Sequence, residues 1–160
     1  MSRTEQLSAE VVDVCTGLTE RLRQATQSSR TTVRLVDADG DLVLAAESLA
    51  PGVPSMATGP AVDPRLHETY VHLERTHELL IQEDCRVADV RPPPSLIEHY
   101  RVLAQMLAPV VLGEELRGTI SVHLMDQTRT WSPESVAALD DARHQLEAVL
   151  AGRAAGAESG

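Results

Sequence analysis

The chain has no phenylalanine and no lysine, and its larger aromatics are one tryptophan, Trp131, and two tyrosines, Tyr70 and Tyr100. A core without phenylalanine must be built from Leu, Val, Ile, Ala and Met. Any binding pocket must work with little aromatic stacking. All 14 basic residues are arginine, a pattern of GC-rich coding rather than a physical requirement. The two cysteines, Cys15 and Cys85, match no zinc or redox spacing, and Cys15 falls on the apolar side of a helix as a buried free thiol. Acidic residues outnumber basic ones 24 to 14, giving a formal net charge of −10. That balance argues against nucleic-acid binding through phosphate neutralisation and against attraction to anionic lipid. No apolar run approaches the ~20 residues of a membrane span, and the first residues do not read as a signal peptide. The cytoplasm is the expected compartment.

What is present suits one domain with a substantial core. Leu7, Val11, Val14, Leu18, Leu22 and Ala25 recur at three- and four-residue steps, predicting an amphipathic helix over residues 5–26. Residues 1–17 then form the start of that helix and a dimerisation segment, 18–150 the domain proper, and 151–160 a disordered tail. A strand over 30–37 and a partner over 42–46 flank Asp39-Gly40, a strong hairpin signal. Residues 50–64, with four prolines, read as a loop. Pro64 opens a helix to about Thr76, and residues 79–82 form a short strand. After Pro92-Pro93-Pro94, Ser95 is expected to cap a short helix, with Glu98 as its capping-box partner. Ser132-Pro133-Glu134 signals the start of the last helix.

Between these lies a hairpin over residues 103–124, two apolar strands around Gly113-Glu114-Glu115. Strand side chains alternate between faces. Ile120, Val122 and Leu124 therefore share one face, and Thr119, Ser121 and His123 the other. That polar row looks either at solvent or into a cavity.

The element order predicts an α+β fold: a central, mostly antiparallel sheet with long N- and C-terminal helices on one face and short pocket helices on the other. Three stretches sharpen it. Residues 71–81 contain Thr76-His77-Glu78, residues 107–122 the central hairpin with Gly113 and Gly118, and residues 131–134 the opening of the closing helix. In this order the chain resembles a GAF domain, the small-molecule-sensing relative of the PAS fold, over residues 18–150. His77 stands where the family's threonine-glycine-glutamate-proline turn has glycine. Some subclasses do not match. The Asn-Lys…Phe-Asp-Glu signature of cyclic-nucleotide binders needs residue types this chain lacks. Neither cysteine has the adjacent histidine of bilin-attaching members, and two distant cysteines cannot supply the methionine-sulfoxide reductase constellation. In haem-binding members the iron-ligating histidine precedes the first central strand, roughly where His99 stands relative to Pro109.

The resemblance places the pocket on the sheet face opposite the end helices. His72, His99, Tyr100, Gln105, Ser121 and His123 become the candidate ligand-binding residues, with Arg34 able to reach the same face and Tyr70 able to close it. Converging imidazole, carboxamide, hydroxyl and guanidinium groups suit a small polar or anionic ligand. Each has a plainer alternative. His123 can reach solvent at the sheet edge, Gln105 can be a core amide bonded to backbone, and Arg34 can be a solvated strand residue. His67, His72 and His77 are five residues apart and share no helical face. A metal held by His72, His99, His123 and Glu74 is an alternative, but neither metal nor catalytic residue is expected. The leading expectation is a stand-alone sensory domain that binds a small molecule and signals through a helical homodimer to a separate output protein. The rivals are an enzyme using the pocket as its active site, with His123 and His99 in acid/base or metal roles, a haem sensor through His99, and a dimerisation module with a vestigial pocket.

Overall fold

A computed structural model describes residues 7–59 and 63–159, with side chains as far as residue 153. Helix α1 (Ala9–Thr26) begins at Ser8, whose hydroxyl accepts from the Val11 N–H, and ends at Gln27 in the left-handed conformation, φ 49°. Residues 5 and 6 of the expected helix lie outside the described residues. Val11, Cys15, Leu18 and Leu22 form its buried stripe, as the three- and four-residue spacing requires. Strands β1 (Arg30–Val36) and β2 (Leu42–Leu49) form the first hairpin. Its turn is held by Asp37, whose Oδ1 accepts from the N–H groups of Asp39 and Asp41. Gly40, at φ 84°, takes the left-handed position there.

The expected single helix from Pro64 is a short 3-10 turn, Pro64–Leu66, then a break at extended His67, then α2 (Glu68–Thr76). Strand β3 (Leu80–Gln82) and helix α3 (Pro94–Glu98) follow. Helix α3 starts one residue before Ser95 and has no side-chain cap. Pro94, with φ already set for a helix, takes the first position, so Ser95 lies inside the helix. Strands β4 (Val102–Leu112) and β5 (Glu115–Met125) are the longest pair. Helix α4 (Pro133–Ser159) opens as the sequence indicates, with the Ser135 N–H on Ser132 Oγ at 3.1 Å. Its backbone is helical as far as Ser159. The four alanines in 151–157 favour helix, and Gly152 and Gly156 among them oppose it.

The strands form one antiparallel sheet in the order β2-β1-β5-β4-β3. Helices α1 and α4 cover one face, where Val33, Leu35, Met106, Val110, Ile120, Val122 and Leu124 meet Leu18, Leu22, Leu139 and Leu146. Arg129 joins the two ends of this layer. Its guanidinium donates to the carbonyls of Thr26 and Gln27 at the end of α1 and lies over the Trp131 ring. The other face carries α2, α3 and a smaller cluster of Cys85, Leu96, Tyr100 and Val102. Among the described residues no helix is long and apolar enough to cross a membrane.

Candidate functional site

Side-chain alternation decides the chemistry of the second face. Ile120, Val122 and Leu124 point into the helix-covered core, so Thr119, Ser121 and His123 point the other way. Register then aligns their neighbours. Arg34, Thr32 and Arg30 of β1 stand opposite Thr119, Ser121 and His123, while Leu107 and Gln105 of β4 stand opposite Ser121 and His123. A cavity of about 60 Å³ lies between this surface and α2 and α3. The sheet contributes Thr32, Arg34, Gln105, Leu107, Thr119, Ser121 and His123. The roof includes Thr69, Tyr70, Leu73, Leu96 and Met56.

The solvent alternative for His123 does not hold, since the residue is only 4 % exposed. Its Nδ1 is 3.2 Å from Nη1 of Arg30. A guanidinium has no acceptor, so Nδ1 accepts and the proton sits on Nε2. Burial, then the charges of Arg30 and Arg34, lower the His123 pKa well below its usual value. The imidazole is therefore neutral and offers one N–H. Arg30 itself is fully buried. It donates from Nη2 to the Pro54 carbonyl at 2.6 Å and lies 5.2 Å over the Tyr100 ring. Glu47 pins the same loop through Ser55 Oγ and the Met56 N–H, which fixes Met56 in the cavity roof.

Arg34 is the one charged residue among the described lining residues, and no carboxylate lines the cavity with it. Its backbone is paired within the sheet, but its guanidinium makes no hydrogen bond or close ion pair with any described residue; Glu47 and Asp63 act on it only at longer range. Burial lowers its pKa, while nearby Glu47, Tyr100 and Asp63 oppose that shift, and an arginine keeps its charge under such conditions. At mid-sheet Thr32 and Ser121 share a hydrogen bond between hydroxyls.

Gln105, Ser121 and His123 thus come together, and Arg34 and Tyr70 join them. Tyr100 is fully buried beneath Arg30, beside the lining rather than in it. His72 and His99 are not brought to the cavity. Helix α2 turns Thr69, Tyr70 and Leu73 inward, and His72, ~100° round from Leu73, borders a separate outer groove with Leu66 and Val71. His99 is exposed and packs edge-on against Tyr100, ring centroids 4.8 Å apart. The metal, haem and acid/base alternatives needed one or both of these histidines in the pocket, and each loses that ligand or partner. Sequence reasoning missed Arg30 and Gln82. Arg30 shares strand parity with Arg34, the one signal that would have placed it on this face.

A family model described as GAF domain matches residues 10–150. The chain belongs to the GAF domain family. Solved GAF structures share its fold. One is the photoproduct state of GAF3 from Slr1393 of Synechocystis sp. PCC6803, at TM-score 0.77 and 18 % identity over 92 % of this chain and 98 % of that one. Another is the blue-light absorbing form of the Thermosynechococcus elongatus PixJ GAF-domain, at TM-score 0.72 and 19 % identity over 93 % and 92 %. A third is the phycocyanobilin-bound GAF domain of a cyanobacterial phytochrome, at TM-score 0.71 and 20 % identity over 92 % and 87 %. No curated protein sequence matches the chain.

Proposed function

We propose that this GAF domain is a ligand-binding sensory module whose cavity takes a compact polar or anionic molecule. The observation that carries this reading is Arg34, a cavity-lining cation without an ion-pair partner among the described residues. A guanidinium in that position favours a carboxylate or similar anion, which it can bind through two parallel N–H bonds. Ser121, Thr119 and the Nε2–H of His123 add hydroxyl and donor groups beside it. Similar GAF domains hold a bilin, but a cavity of about 60 Å³ has no room for a linear tetrapyrrole. No cysteine is among the described lining residues, and both cysteines are buried elsewhere. A ligand of a few non-hydrogen atoms suits the space.

The output surface in this reading is the outer side of α1 and α4, paired with a second copy of the chain and read by a separate partner. Their side-by-side packing on the sheet supports it, since the same strands carry core residues on one face and the cavity on the other. A ligand shifts such a pair only if it binds one arrangement better than another.

Thermal shift with a panel of small carboxylates and neutral polar metabolites tests the binding step. At least one anion should raise the melting temperature in a concentration-dependent way, and Arg34→Gln should weaken its apparent affinity by about tenfold or more. Silence across the panel, or an Arg34→Gln protein that responds like the parent, would overturn the reading. Sedimentation should give the mass of two chains, and a monomer at every concentration removes the paired output.

A further inference from the structure

Two hydrogen-bond relays define what the sheet presents beside His123. The Val90 carbonyl can only accept, so Gln82 turns its amide nitrogen toward it, at 2.6 Å. Gln82 Oε1 then faces Gln105, which answers with Nε2–H at 2.8 Å. The Gln105 amide is thus oriented by a backbone carbonyl two steps away and is not free to flip. Its Oε1 remains as a buried acceptor without a partner. From the other side, Arg30 can only donate, so it takes Nδ1 of His123 and leaves Nε2–H as a donor. No described residue accepts from that Nε2–H. Gln105 and His123 are direct cross-strand partners, and both line the cavity. One unused acceptor and one unused donor therefore belong to paired positions on neighbouring strands, with their polarity set from outside the cavity. Oε1 itself is closed to solvent, so a ligand reaches it only as the lining gives way.

We infer that the cavity recognises a carboxamide, urea or lactam group, its N–H donating to Gln105 Oε1 and its carbonyl oxygen accepting from His123 Nε2–H. The inference rests on the cavity being a ligand site and narrows its ligand class. A carboxylate at this end has no donor for Gln105, and an alkylammonium has no acceptor for His123. Either leaves a buried polar atom unmatched, which costs about 1–3 kcal/mol, so both are selected against. Arg34 is opposite Thr119, four residues along β5 from His123. Arg34 therefore serves an acidic group at the other end of the cavity and takes no part in reading the amide edge. Ser121 and Thr32 satisfy each other between the two ends and make little demand on the ligand.

The probes are 2-pyrrolidinone, which has the full amide edge, cyclopentanone, which keeps the carbonyl and ring shape but lacks N–H, and acetate. Binding is read from the side-chain ¹⁵N signals of His123 and Gln105 in labelled full-length protein. The lactam should perturb both saturably and bind about tenfold or more tightly than the ketone. Gln105→Leu should abolish that preference. If it fails to fold, Gln82→Leu leaves Gln105 in place, frees its amide to turn, and should shrink the preference. Equal binding of lactam and ketone, or a preference that survives in the folded variant, overturns the inference while leaving the cavity a ligand site. If none of the three probes moves the cavity signals, the ligand-site reading falls with it.

Discussion

Arg30 and His123 face each other across β1 and β5, with Nη1 of one 3.2 Å from Nδ1 of the other and both side chains out of solvent. The pair has one charge and not two. A protonated imidazole would lose its acceptor lone pair and place a second cation against the guanidinium. The neutral state of His123 is therefore part of the fold as well as of the cavity.

This makes stability depend on pH with a definite sign. In the unfolded chain His123 titrates near 6.5, and in the folded chain well below that. Between these values the unfolded state binds the extra proton, so stability rises with pH. The contribution is fully present above pH 6.5 and is lost as pH falls toward the folded value, with a slope of at most about 1.4 kcal/mol per pH unit. His123→Gln removes the titrating group while keeping an acceptor for Arg30. Urea unfolding from pH 5 to 8 should show the parent losing stability relative to His123→Gln below pH 6.5. Parallel curves would contradict the buried neutral imidazole.

Gly118 is fixed by close approach. A Cβ there would fall inside contact distance of the Arg34 carbonyl oxygen and 2.7 Å from Leu35 Cδ2 on the neighbouring strand. Backbone cannot move aside as a flexible side chain can. Gly118→Ala should cost about 2 kcal/mol or more in urea unfolding and weaken the pairing that sets Arg34 opposite Thr119. A cost under about 0.5 kcal/mol would mean that the strands are farther apart.

Both thiols should be inert in the folded protein. Burial raises Cys15 to about 11 and Cys85 to about 12, and the thiolate is the reactive form. Labelling with an aromatic disulfide reagent at pH 8 should be about a hundredfold slower in buffer than in urea. Rapid reaction of either cysteine in the native state would show that its helix or turn opens readily.

Much of the fold, and the sheet side of the site, is legible in the sequence for reasons that are local. The spacing of Val11, Cys15, Leu18 and Leu22 forces one buried stripe, and Ser132-Pro133-Glu134 carries its own helix-start chemistry. Alternation along β5 separates Ile120, Val122 and Leu124 from Ser121 and His123, and two opposite faces of a sheet cannot both meet the same helices. His72 and His99 were misplaced because neither parity nor spacing says how far a short helix rotates over a sheet. Thr69, Tyr70 and Leu73 won the inward side of α2, and His99 was left in solvent beyond α3.

The sequence by itself determined the strand faces, the apolar helix stripes and the family, because these follow from periodicities that each segment expresses alone. Only the tertiary structure decided which polar groups meet. The neutrality of His123 comes from Arg30, 93 positions away, and the orientation of Gln105 from Gln82 and the Val90 carbonyl. Sheet register sets such pairings, and register depends on how whole strands pack together rather than on any segment within them.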